Sequence, residues 1–293
     1  MTPGLLVLLL LAQGPRAVRV GPVTAVAWPA QLELAEALAR EAARPVDWPG
    51  LGRLAPDSLS LILVPNAARL DSLTRGLAPT WGAALAFPES RTILIRADAG
   101  DLHRTLRHEL GHLVLHQRVR VRVPLWFDEG YAALAAGEWE RLGGLELNLA
   151  VARGAVPDFA ELDGALRGSA GAADAAYALA MSAVLELGRR NPTGRLDPLL
   201  TDLARGQDFE AAVLATTGLT LTRFEDVWRR AVRTRYTLVT WLAAGGVWVV
   251  AAALVVVLVW WRRRADRPRR AALDVGWEVP EDPPEPPDPP PAA

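Results

Sequence analysis

From Thr237 to Trp261 the chain runs for 25 residues without a charged side chain, with Trp241 near one end and Trp260-Trp261 at the other. A helix of that length, rising about 1.5 Å per residue, crosses the hydrocarbon of a bilayer with some tilt, and indole rings favour both interfaces. A transmembrane helix is therefore expected at 237–261. The alternative, a buried helix of a soluble domain, fits neither the length nor the aromatic ends. A second apolar run, Leu5 to Ala12, is too short to span but has the length of a signal-peptide core. Residues 1–17 are read as an export signal cut near Gly14 or Ala17, with a buried N-terminal strand as the alternative. Arginines flank the span on both sides, Arg229, Arg230, Arg233 and Arg235 before it and Arg262, Arg263 and Arg264 after it, so charge asymmetry constrains orientation weakly. Export carries the argument instead: a single-pass protein of the cell membrane is expected, with residues before the span outside the cytoplasm.

Residues 18–236 are then the one stretch able to fold around a core, and one domain is expected there. Apolar residues at helical spacing over 31–43 predict a helix ended by Pro45, and Ser58 to Val64 alternates before running apolar, as a strand does. Residues 67–75 read as a helix closed by Gly76, and 82–87 with 92–96 as two antiparallel strands around Pro88-Glu89-Ser90. From Asp101, a candidate N-cap, the pattern turns helical: through about His116, then 127–136, 172–189, 196–205, 209–216 and 222–235. A small antiparallel or mixed sheet is thus followed by a mostly helical half, an α+β arrangement. Residues 262–293 begin basic and end in an acidic Pro-rich run from Pro280, which can form neither helix nor core and is read as a disordered cytoplasmic tail. That tail is a candidate ligand for an SH3-like partner, against the plainer reading of a solvated linker.

Cys is absent, which excludes disulfides, thiolate metal sites and a Cys nucleophile, so any metal must be held by His or carboxylate. A formal net charge of −1 gives no reason to expect nucleic acid as a partner. The chemistry concentrates in His108-Glu109-Leu110-Gly111-His112. On a helix, positions four apart lie on one face about 6 Å from each other, so both imidazoles can reach one ion. Glu109, turned about 100° from His108, can act on water beside that ion. A catalytic zinc needs a third protein ligand. His116 lies about 12 Å along the helix from His108, too far to share an ion, and His103 is off the ligand face. Asp128 and Glu129 open the next predicted helix after a short connection, and Glu129 is preferred.

The pentapeptide together with Trp126-Phe127-Asp128-Glu129-Gly130-Tyr131-Ala132 resembles the gluzincin zinc peptidases, most closely their compact peptidase MA-like members. The resemblance covers about 58–235 and implies a zincin-like fold. It also implies one Zn2+ held by His108, His112 and Glu129, Glu109 as general base, and a protein or peptide substrate held on a strand edge at 82–86 or 92–96. The interval between His112 and Glu129, 16 residues, is shorter than in aminopeptidase-like members, and no exopeptidase motif is recognised. Many gluzincins place a Tyr on the oxyanion. Among Tyr131, Tyr177 and Tyr236, Tyr177 has a comparable place in sequence, but it equally fits a buried stripe with Met181 and Val184. Tyr131 should point away from the metal, about 200° round its helix from Glu129. The expectation is a membrane-anchored zinc metallopeptidase with Glu109 and Tyr177 as candidate catalytic groups. Its rivals are a non-catalytic anchored metal- or peptide-binding module, and a zinc hydrolase of a non-peptide amide or ester.

Overall fold

The computed structural model describes residues 14–77, 82–138, 147, 151, 156–168, 170–236 and 247–274. The chain divides into two units, Met1–Thr240 and Trp241–Ala293. The first unit opens on a hairpin of β1 (Arg16–Val20) and β2 (Val23–Ala27), which Gly21, at φ 56°, allows to turn tightly. Helix α1 (Leu32–Ala42) and a small ribbon of β3 (Val46–Trp48) and β4 (Gly52–Leu54) follow. Then come β5 (Leu59–Val64), α2 (Ala67–Thr74), β6 (Ala84–Phe87) and β7 (Thr92–Arg96). The main sheet has the order β1-β2-β5-β7-β6, parallel in its middle and antiparallel at both margins, so β6 is an edge strand.

Period-two alternation splits the sheet's side chains between its faces. Val23, Ala25, Leu61, Leu63, Ile93 and Ile95 join the main core with Leu38 and Ala39 of α1, while Val64 and Leu94 form a small satellite with Leu70 of α2. The helical half contains α3 (Leu102–Arg118), α4 (Leu125–Ala135), α5 (Phe159–Leu166), α6 (Ala170–Arg190), α7 (Asp197–Ala204), α8 (Phe209–Thr217) and α9 (Leu221–Arg235). Stacked rings tie it together: Trp126 lies on Phe159 at 4.2 Å between centroids and Phe159 on Trp228 at 5.1 Å, with the Trp228 indole N–H donating to Ser182 Oγ at 2.9 Å. Each such buried aromatic contact adds about 1 kcal/mol beyond its area.

The sheet-then-helices order and the strands at β5, β6 and β7 match the sequence reading. The β1–β2 hairpin, the β3–β4 ribbon and α5 were not expected. Because Arg16 and Ala17 pair with Ala27 and Val26, the folded domain begins before Val18, and a boundary after Ala17 would cut a strand. The apolar run at 5–12 lies outside the described residues. So do 237–246, the first part of the expected span, and the Pro-rich stretch from 275. Among the described residues no helix is long and apolar enough to cross a membrane. The second unit's helix α10 (Val247–Asp274) continues past Trp261 through the arginines, which together with Ala are good helix formers, where a disordered tail was expected.

At Gly130 of α4 an added Cβ would sit 2.5 Å from the Ala180 carbonyl oxygen and 2.9 Å from Val184 Cγ2. Backbone meets backbone there, and nothing larger than hydrogen fits. Gly130→Ala is expected to destabilise the domain by about 1–3 kcal/mol through overpacking, read as a lowered Tm in thermal unfolding.

Candidate metal centre

Asp101 caps α3, its side chain accepting from the Arg104 N–H at 3.0 Å. Leu106, Leu110, Leu113 and Val114 bury one face of that helix in the core, which turns His108 and His112 toward α4. Their rings stand 5.0 Å apart. From behind, Arg107 fastens the helix: Nε donates to the Ala135 carbonyl at 2.8 Å, a terminal nitrogen to the Asp47 carbonyl at 2.9 Å, and the guanidinium lies over Trp48 at 4.4 Å. Gly111 lets α4 come close, since a Cβ there would be 3.0 Å from Ala132 Cα. Both halves of the two-part motif therefore place ligands and keep the helices close enough for them to meet.

Glu129 Oε2 is 3.4 Å from His108 Nε2 and 3.6 Å from His112 Nε2, and the three groups present ligand atoms all within 4.8 Å of one another. The outer nitrogens are engaged as well. His108 Nδ1 is 3.2 Å from Glu138 Oε1, and His112 Nδ1 is 2.7 Å from Asp128 Oδ1. A carboxylate on Nδ1 holds the proton there and leaves the Nε2 lone pair for a cation. The donor set therefore fits a divalent metal of the zinc type: two imidazoles and one carboxylate, with an open cleft beside them.

The charges are balanced within this cluster. Burial opposes charging His108, but Glu129 and Glu138 outweigh it and push the imidazole up to about 9. His112 is likewise held well above its ordinary value, by Asp128 and Glu129 against burial. Burial would raise Glu129, yet the two imidazoles pull it down to about 2. Glu109, buried beneath β6 with its carboxylate accepting from the Ala86 N–H, is raised by burial, while His112 and His108 work in the opposite direction. Tyr177 of α6 stands edge-on to His108 at 5.8 Å, with Glu129 among the carboxylates that bear on its hydroxyl. Burial, then the neighbouring carboxylates, holds that phenol protonated far above its ordinary range.

The structure thus gathers His108, Glu109, His112, Glu129 and Tyr177 around one cleft of about 980 Å³ whose other wall is β6. His116 sits on Asp128 Oδ2 at 2.8 Å and His103 pairs with Glu41, so neither joins the ligand set. Tyr131 donates to the Pro49 carbonyl at 3.0 Å, away from the site. Two residues escaped the sequence reading in these roles. Asp128, weighed only as a ligand, instead bridges His112 and His116. Glu138 follows Gly137, whose φ of 70° reverses the chain after α4, with the Glu138 N–H bonded to the Ala133 carbonyl and the Gly137 N–H to that of Leu134. A glycine ending a helix is legible in sequence, but the contact its successor makes is not.

Glu138→Gln is expected to weaken zinc affinity about 10- to 100-fold with Tm little changed, measured by competition against a chelating dye. Protons compete with the ion here. Below about 9 the metal-free His108 carries a proton that a cation must displace, so apparent zinc affinity should rise from pH 7 to pH 9. An affinity flat over that interval would contradict the placement of His108.

A family model described as the Peptidase MA superfamily matches residues 61–234, from β5 through α9. No curated protein matches the chain. The matched region contains the metal-binding group, the cleft's far wall and the helix bearing Tyr177, and the chain belongs to the peptidase MA superfamily.

Proposed function

We propose that the protein is a membrane-anchored zinc metallopeptidase whose catalytic domain works outside the cytoplasm. The observation that carries the reading is the His108, His112 and Glu129 group opening onto a cleft walled by the edge strand β6. An edge strand offers unpaired backbone N–H and C=O groups to an extended chain, which favours a peptide over a small ester as substrate. His108, His112 and Glu129 would hold the ion, and zinc, when bound, supplies Lewis acidity that brings water's pKa to about 7 and polarises a carbonyl. Glu109 takes the proton of the attacking water and delivers it to the amine nitrogen as the C–N bond breaks. Its burial and raised pKa suit both halves of that transfer. Tyr177, kept protonated, donates to the carbonyl oxygen as negative charge develops on it. β6 fixes the direction of the substrate backbone.

Anchoring rests on the apolar segment 237–261. Within α10 its described part exposes Trp248, Leu254, Val256 and Trp261, an apolar surface of the kind that lipid covers. Export of the N-terminal domain follows from the run at 5–12 and puts the cleft on the extracytoplasmic side. Removing residues from 237 onward should move the protein from the membrane to the soluble fraction.

Glu109→Gln is expected to retain stoichiometric zinc and to lose at least about 100-fold in hydrolysis of an unstructured protein. Activity equal to wild type would remove Glu109 from the mechanism. Tyr177→Phe should lower kcat about 100-fold with KM little changed, because its donor acts on the developing oxyanion.

A further inference from the structure

From the last residue of α3 the chain reads Arg118-Val119-Arg120-Val121-Arg122-Val123, a strict alternation. Val119, extended at φ −103° and ψ 109°, is buried in the core, and Val121 and Val123 pack against it. Arg120 and Arg122 alternate with these valines and are exposed, as is Arg118 at the end of the helix. Val119 and Arg120 also line the metal cleft, beside His116 and the Pro88-Glu89-Ser90 turn that ends β6.

Some arginines of this unit are tied down, Arg96 on Asp98 at 2.9 Å and Arg190 and Arg235 on the buried Glu186 at 2.9 and 2.7 Å. Among the described residues no carboxylate lies within ion-pair distance of Arg118, Arg120 or Arg122. The cleft's inner carboxylates are engaged, Glu129, Asp128 and Glu138 with histidine nitrogens and Glu109 with the Ala86 N–H. Its remaining acids, Glu89 and Asp174, come from the β6–β7 turn and from α6. Of these three guanidinium groups, that of Arg120 stands at the lip of the cleft, across from β6, with Arg118 and Arg122 near it in the chain.

We propose that Arg120 is a specificity group for acidic peptides, receiving an Asp or Glu side chain of the substrate within the cleft, with Arg118 and Arg122 adding positive charge nearby. The guanidinium fork matches a carboxylate in a bidentate manner. Exposure to water keeps each contact modest and sensitive to salt. This rests on the peptidase reading for catalysis, but peptide binding tests it separately.

The experiment uses the full chain with zinc and two peptide sets of one length, alike except that Glu in one is replaced by Gln in the other. Cleavage is compared for wild type, Arg120→Ala and Arg120→Glu. Binding of the same peptides to Glu109→Gln is followed by fluorescence anisotropy, with and without Arg120→Ala. The Glu set should be preferred by about five-fold at low salt, with the preference reduced at high salt. Arg120→Ala should lower that preference toward one, and Arg120→Glu should reverse it in favour of Lys-containing peptides. Absence of a preference, or one that survives both substitutions with the fold intact by circular dichroism, overturns the proposal. If no peptide is cut yet acidic peptides bind better and lose that advantage with Arg120→Ala, the role of Arg120 stands and the peptidase reading falls.

Discussion

The centre exists because three helices meet with almost no side chain between them. Gly111 of α3 lies against Ala132 of α4, and Gly130 of α4 lies against the Ala180 carbonyl of α6. Each contact removes the width of a side chain from a helix packing distance that is ordinarily 8–10 Å. Without the first contact the Glu129 oxygen would not stand between the two Nε2 atoms. Without the second, Tyr177, three residues before Ala180 on the same helix, would not stand beside His108. Small residues here set distances between reacting groups as well as filling a core.

Close packing also makes the chemistry a matter of balanced burial. Two imidazoles and four carboxylates, Glu109, Asp128, Glu129 and Glu138, share a largely water-excluded pocket, where an isolated charge would cost several kcal/mol. The arrangement meets that cost by pairing. Asp128 serves His112 and His116, Glu138 serves His108, and Glu129 faces both inner nitrogens. Glu109 lacks such a histidine partner and takes its hydrogen bond from the β6 backbone instead, so burial raises its pKa. On the proposed reading, the contrast separates a base that exchanges protons from carboxylates that bind the ion or orient its ligands. Adding a dication strengthens the charges of Glu129 and its partners.

Residues 108–129 were legible because their meaning lies in local periodicity. Positions i and i+4 fix two nitrogens, and a short connection fixes how far the next helix can be, so His116 could be excluded by helix rise and Glu129 preferred before any coordinates. The strands at β5, β6 and β7 followed from alternation bounded by turn residues. The β1–β2 hairpin carries a readable Gly21-Pro22 turn but follows closely on the apolar run at 5–12. Helix α5 carries a capping box, Asp158 to Glu161, but its 8 residues are too few for a clear apolar period. Glu138 and the outer role of Asp128 could not be read, because each depends on a rotamer and on the path of the chain across another helix. Tyr177 fell between: its sequence position allowed either core or site, and the fold puts its ring in the cleft beside His108.

Every group that would hold the ion, and every carboxylate that orients one, lies within the segment from His108 to Glu138. Loop-closure entropy grows slowly with the number of residues enclosed, and joining His112 to Glu129 encloses fewer than joining either to Tyr177 or to β6. The α3–α4 hairpin can therefore meet a cation in a chain whose sheet has not assembled, whereas the Ala86 contact to Glu109 and the phenol of Tyr177 demand the complete domain. Metal binding to such open forms would subtract from the stability that an ion confers on the native state, so a bound metal would protect this fold by less than its affinity for the finished site implies.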